Sequence, residues 1–405
     1  MKFLSATAAA AFLASAVVAV PAARSVPSVP APRWDLVADK EAVTEVIASI
    51  QENQMAKLKA RAGSGGCTAE NVRVRKEYGD LTKEERSDYI RAIQCLMDKP
   101  GKVDRTFSLG TRSRFDDFAV EHITKTLGIH FTGNFMAWHR WFLYAYETAL
   151  RDECGYKGYQ PYWDWAKYAE APQDSPVFNG DEWSLGGNGA PNPDRVGAII
   201  GKGPGGGLVH LVRGLGGGPV TTGPFGTNRT ILLGPVQPDP PATVGPNGGL
   251  GVNPRPWVRD VGPAVNLRYA NYTTLLDLLN QPDIDKYRSL SEGPKGSLEI
   301  GPHAAGHYVI TSDPADDVFT SPTDPAFFVH HAMVDRMWAL WQELDESTRR
   351  TDLGKDVYAH LTWQNNPPSG LATLDDVLNV TYVGPQTTIR EVMDTTSSPF
   401  CYVYQ

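Results

Sequence analysis

Seven of the nine histidines in this 405-residue chain fall in two short segments. The first, RFDDFAVEHITKTLGIHFTGNFMAWHRWFLYAYE, carries His122, His130 and His139. The second, EIGPHAAGHYVITSDPADDVFTSPTDPAFFVHHAMVDRMWALW, carries His303, His307, His330 and His331. At i and i+4 on a helix, His303 and His307 project from one face and can reach one ion. Imidazole is a ligand of intermediate softness that suits copper, zinc, iron or nickel. A single trio could hold one zinc with an open position. Two neutral trios in one chain read more naturally as facing sites whose shared bridging ligand supplies the negative charge. His330 and His331 point about 100° apart on a helix, so both cannot face one ion. Glu121 and Asp335 are the carboxylates nearest the motifs, too few for the bridging and ligating acids of a binuclear zinc hydrolase. His210 and His360 stand outside both segments and read as ordinary structural residues.

Those side chains need rigid elements behind them. Apolar spacing predicts helices over 36–61, 82–98, 111–127, 133–152, 273–280, 303–309 and 325–344. Thr82-Lys83-Glu84-Glu85 has the form of a capping box at the start of the second. His122 and His139 fall on neighbouring helices, with His130 in the connection between them. Between about 186 and 263 Gly and Pro become dense, as in GKGPGGGLVHLVRGLGGGP. That stretch is expected to be mostly loop with short strands, lining or shielding a site. It has no G-x-x-x-x-G-K-S/T pattern and no strand-turn-helix context for holding phosphate. From about 358 onward, Thr, Val and Tyr recur in short strand-like runs. The fold class expected is mainly α, with long irregular loops and a few short strands.

Composition narrows the class further. The chain is 41% hydrophobic and 10% aromatic, which excludes global disorder. Its 38 Lys plus Arg against 46 Asp plus Glu give a net charge of -8. No basic patch or polybasic run points to nucleic acid or an anionic membrane. The opening MKFLSATAAAAFLASAVVAV reads as a secretory signal peptide over residues 1–19, with Lys2 as its positive end. Residues 20–34 form a Pro/Ala-rich arm or propeptide, and 35–405 the remaining domain. Cys67, Cys95, Cys154 and Cys401, even in number and widely spaced in an exported chain, predict two disulfides of undetermined pairing. Sequons at Asn228, Asn271 and Asn379 fit a secretory route.

The two motifs together resemble those of tyrosinases, catechol oxidases and molluscan haemocyanins. The first matches as His-x7-His-x8-His, ending in Trp138-His139-Arg140. The second matches as His-x3-His, then Asp324-Pro325-Ala326-Phe327-Phe328-Val329-His330-His331 and Val334-Asp335-Arg336. The resemblance runs from about residue 35 to the end. It implies a four-helix bundle around a binuclear copper site, with two copper ions as cofactors. His122, His130 and His139 would bind one copper; His303, His307 and His331 the other. The family uses the second residue of the adjacent pair, leaving His330 behind the ligands. Phe327 would lie beside the substrate, and Asp335 would accept a hydrogen bond that orients a histidine.

The resemblance also bears on activity. Glu299, four residues before His303, matches a glutamate that positions a water for deprotonating a phenol. Strong monophenol hydroxylation often pairs that glutamate with Asn after the first ligand of the second motif. Here that position is Ala304, and Tyr308 follows His307. Position 128 is Gly, where some members carry a cysteine bonded to the second ligand. Tyr402-Val403-Tyr404 matches the Tyr-x-Tyr that often closes the catalytic domain, so no C-terminal shielding domain is expected. The function implied is a secreted polyphenol oxidase that uses O2 to convert o-diphenols to o-quinones. Trp138, Phe327 and Phe328 would wall the site against a planar ring. The alternatives are a tyrosinase that also hydroxylates monophenols, an oxygen carrier and a binuclear zinc hydrolase. Its partners are phenolic small molecules and O2, with no nucleic acid and no membrane.

Overall fold

The computed structural model describes residues 36–63, 66–195, 197, 199–202, 208–210, 212–226, 229–237, 243–295 and 299–405. The expected leader (1–19) and arm (20–34) lie outside these residues, as do Asn228 and the side chain of His210. The described residues belong to one unit, Asp35–Gln405.

Helices dominate. α1 (Leu36–Ala60), α2 (Lys83–Asp98), α3 (Arg114–Ile129) and α4 (Phe135–Cys154) come first. The Gly/Pro-rich stretch follows, and then α5 (Pro263–Tyr269), α6 (Tyr272–Leu279) and α7 (Ile284–Glu292). α8 (Pro302–Ile310), α9 (Ala326–Glu343) and the short α10 (Glu346–Arg349) complete them. Both early boundaries have visible causes. Thr82 and Glu85 cap α2 reciprocally, and Ser113 and Asp116 do the same for α3, satisfying donors that a helix start leaves open. α4 stops at Gly155, whose φ of 68° only glycine adopts freely. Every residue of α9 from Ala326 to Gln342 is buried, as a helix apolar on all sides must be. α9 packs on α4 and α8, and α3 on α2 and α4, so the four histidine-bearing helices surround one interior. α5 and α7 lie outside the helices that apolar spacing predicts.

Among the described residues the strands form only two-stranded ribbons. Gly189–Pro191 pairs with Gly217–Val220, and Thr230–Ile231 with Arg255–Pro256, so the Gly/Pro-rich stretch is loop with short strands as expected. The terminal strand Tyr402–Tyr404 runs parallel to Arg73–Arg75. The disulfides are Cys67–Cys401 and Cys95–Cys154. One fastens the terminal strand, and the other ties α2 to the end of α4. No described helix is long and apolar enough to cross a membrane. Asn271 is buried, with its amide oxygen capping α6 and its nitrogen on Leu267. That sequon offers no free amide in the folded protein.

The bundle is cross-linked by a buried ionic network. Asp335 on α9 accepts from Arg140 Nε on α4 at 2.6 Å, Tyr402 at 2.7 Å and Tyr404 at 2.6 Å. Arg75 reaches Asp335 at 3.4 Å and Glu147 at 2.9 Å. Burial alone would push the Asp335 carboxyl up, but Arg140 and Arg75 hold it below its usual range. Removing one member strands buried charge, which costs far more than a surface pair contributes. Asp335→Ala is expected to lower unfolding free energy by about 3–5 kcal/mol, read from the urea midpoint. Tyr404→Phe, which leaves the charges paired, is expected to cost roughly 1–3 kcal/mol. Equal, small losses in both variants would show that the network does not hold the bundle.

Candidate metal centre

The two histidine segments meet inside the bundle. One nitrogen each from His122, His130 and His139 lie within 4.8 Å of one another, and the same holds for His303, His307, His330 and His331. All seven rings are buried. The trios face each other: His139 stacks on His331 at 4.5 Å, and His130 lies 5.9 Å from His303.

Each ring of the first trio is aimed from behind. His122 Nδ1 donates to the Phe319 carbonyl at 2.9 Å, His130 Nδ1 to Thr126 at 3.0 Å and His139 Nδ1 to Phe135 at 2.9 Å. With Nδ1 holding the proton, Nε2 presents a lone pair to the interior. The Nε2 atoms of His122, His139 and His303 are buried without a hydrogen-bond partner. His307 bonds the Ala315 backbone, and its Nε2 stands 3.1 Å from His331 Nε2. With metal–nitrogen bonds of roughly 2.0–2.1 Å, that separation subtends about 100° at an ion. Burial, then the neighbouring imidazoles, pushes five of these rings well below the usual histidine range, and burial alone takes His130 to about 4. Neutral nitrogen donors with unpartnered lone pairs are what a transition metal requires.

His330 is arranged differently. Trp165 Nε1–H donates to its Nδ1 at 3.1 Å, and its Nε2 bonds the His303 carbonyl at 2.9 Å. Because indole only donates, the Nε2 must carry the proton, and no lone pair remains for an ion. The ring lies against Gly306, where an added Cβ would stand 2.0 Å from its Cε1. Glycine in the H-A-A-G-H turn is thus a close-approach residue. Glycine inside a helical pattern is a sequence signal for that.

Phe327 stacks on His331 at 4.1 Å and lies 5.3 Å and 5.8 Å from His122 and His307. Ala304 and Tyr308 are half-buried, one turn apart on α8. Trp138 packs against His139 at 5.0 Å.

Glu299 lies before α8, which begins at Pro302. Its carboxylate is half exposed and pairs with Arg268 at 2.5 Å. Asp335 orients no histidine; its oxygens bond Arg140, Arg75, Tyr402 and Tyr404. Phe328 lies on the far side of α9, stacked on Tyr146 at 3.5 Å, so it walls the core and not the site. Glu121 likewise turns away, accepting from the Tyr382 backbone at 2.8 Å. His360 bonds Ser369 and belongs to neither cluster.

Sequence reasoning also missed Phe131, Trp363 and Glu292. Trp363 sits 5.9 Å from His130 and 4.7 Å from Phe131. Phe131 has a φ of 52°, and its N–H donates to Glu292 at 2.6 Å. Only the tertiary fold brings these residues together.

With this geometry in hand, comparison places the chain among known proteins. A family model described as the common central domain of tyrosinase matches residues 112–344. Tyrosinase P of Aspergillus terreus is 38% identical over 335 residues, covering 82% of this chain and 91% of that protein. N-acetyl-6-hydroxytryptophan oxidase of Emericella nidulans is 35% identical, covering 84% and 94%. A solved polyphenol oxidase variant from Thermothelomyces thermophila is 52% identical with a TM-score of 0.86, covering 90% of this chain and 98% of that one. The chain belongs to the tyrosinase family, whose members are binuclear copper oxidoreductases.

Burial, with Asp356 nearby and against the opposing effect of Arg288, pushes Glu292 up to about 8. Unfolded, it titrates near 4.5. Between those values the folded protein binds a proton the unfolded chain lacks, so this group's stabilisation falls as pH rises through the window. Glu292→Gln is expected to flatten the pH dependence of Tm between about pH 5 and 8 and to melt above wild type at pH 8.5. Identical Tm profiles would contradict the assignment.

Proposed function

We propose that the chain binds two copper ions and oxidises o-diphenols to o-quinones with O2. His122, His130 and His139 would hold one copper, and His303, His307 and His331 the other. The observation that carries this reading is the pair of facing neutral trios, His139 stacked on His331 at 4.5 Å, with the nearby acids Glu121 and Asp335 turned to other partners. That arrangement fits a copper pair and disfavours a zinc hydrolase, which needs carboxylate ligands.

Bound copper would supply the two-electron chemistry between substrate and O2. The protein's part is to position, exclude water and orient. The carbonyls behind His122, His130 and His139 fix the tautomer in which Nε2 faces inward. Phe327, against rings of both trios, presents an apolar face to a planar substrate. Ala304 and Tyr308 form the half-buried rim of α8, where the small side chain leaves room for a ring. Glu299 is engaged with Arg268, so it is not poised to assist removal of a phenol proton. An o-diphenol, which ionises more readily than a monophenol, depends less on such help. Two disulfides favour an oxidising compartment, in keeping with export behind a cleaved leader.

A second reading, a tyrosinase that also hydroxylates monophenols, is supported by the name of the Aspergillus terreus relative. Oxygen consumption separates the two. Copper-loaded protein is expected to turn over catechol with kcat/KM at least about 100-fold above that for tyrosine, a transition-state difference of about 2.7 kcal/mol. Comparable turnover would establish the tyrosinase reading, and turnover of neither would remove the enzyme claim. His139→Ala and His331→Ala are each expected to reduce copper from two per chain toward one.

A further inference from the structure

The segment between α8 and α9 touches both trios with its backbone. Phe319 offers its carbonyl to His122, and the Ala315 backbone bonds His307. One strap, Thr311–Phe319, thus aims one ring of each trio. It enters through Thr311 and Ser312, with φ of 35° and 79°, a conformation non-glycine residues hold only when surroundings impose it.

The imposing groups are carboxylates. Asp316 accepts from the Ser312 backbone at 2.7 Å, and Asp313 pairs with Arg255. Asp317 is buried and accepts three backbone N–H groups: Phe319 at 2.9 Å, Val236 at 2.6 Å and Gln237 at 2.9 Å. Its Oδ1 therefore holds the residue whose carbonyl aims His122. Its Oδ2 fastens the strap to the Gly/Pro-rich stretch. Val236, Gln237 and Arg255 all belong to that stretch.

We propose that Asp317 is a positioning residue for the metal centre. Acting through the strap, it sets the carbonyl that orients His122 and steadies the backbone beside His307, so the Gly/Pro-rich stretch is a buttress of the histidines. Carbonyls behind a metal-binding imidazole fix its tautomer and direction, and disturbing them weakens metal binding roughly 10–100-fold. The inference rests on the reading of the trios as copper sites.

The test uses the full chain loaded with copper. Asp317→Asn keeps the volume but sets an amide NH2 against backbone N–H groups that need an acceptor. Asp394→Asn is the control: Asp394 bonds Thr396, Ser397 and Arg350, away from the histidines. The readouts are copper per chain, the visible circular dichroism of bound copper and the rate of copper loss to a chelator. Asp317→Asn is expected to bind two coppers at saturation with altered visible bands, and to release copper about tenfold faster than wild type. Asp394→Asn should lower Tm without either change. Should Asp317→Asn not fold, Asp317→Glu, which keeps the charge but displaces it, is expected to shift the bands the same way by less. Bands and release rates in the Asp317 variants equal to those of Asp394→Asn would overturn the inference while leaving the copper reading intact. Failure of the wild type itself to take up copper would overturn both.

Discussion

Imidazole nitrogens that the protein itself does not satisfy are the constraint around which the rest of the structure is arranged. Burying a polar atom without a partner costs on the order of 1–3 kcal/mol, and three Nε2 atoms here, those of His122, His139 and His303, are in that state. Such an interior persists only if the helices around it are stable without it. Each ring of the first trio has its proton committed to a carbonyl, so the lone pairs cannot turn away to find partners of their own. His330 shows the contrast within the same cluster. Bonded through both nitrogens, it supports α8 and leaves His331 to face inward.

The stabilising counterpart lies on the same helices. Arg140 follows His139 directly, and Asp335 stands one turn after His331 on α9; these two residues form the 2.6 Å pair that joins α4 to α9. The Tyr-x-Tyr strand closes over that pair, and its own position is set by pairing with Arg73–Arg75 and by the Cys67–Cys401 disulfide. On α9 the histidine and the ionic network share one face, His331 and Asp335 standing at i and i+4. A displacement of the terminal strand therefore reaches the metal centre through one layer of side chains.

Much of this was legible in the sequence, for a physical reason. Helical periodicity located seven helices, α1 to α4, α6, α8 and α9, and the i,i+4 spacing of His303 and His307 put both on one face. Glu299 shares the family's four-residue interval with His303; Pro302 starts the helix between them and the acid pairs with Arg268. Asp335 keeps its interval, but arginine outcompetes imidazole for a buried carboxylate. The strap carbonyls, Glu292 beneath Phe131 and Trp363 beside His130 carry no local pattern. They are brought to the site by segments far apart in the chain.

The central claim is that six of the seven clustered imidazoles hold two coppers and His330 holds none. A crystal of the copper-loaded chain, measured on both sides of the copper absorption edge, tests it directly. The account predicts two anomalous peaks, one within roughly 2.0–2.2 Å of a nitrogen from each of His122, His130 and His139 and the other equally near His303, His307 and His331. A single peak, or a peak coordinated by His330, would contradict it.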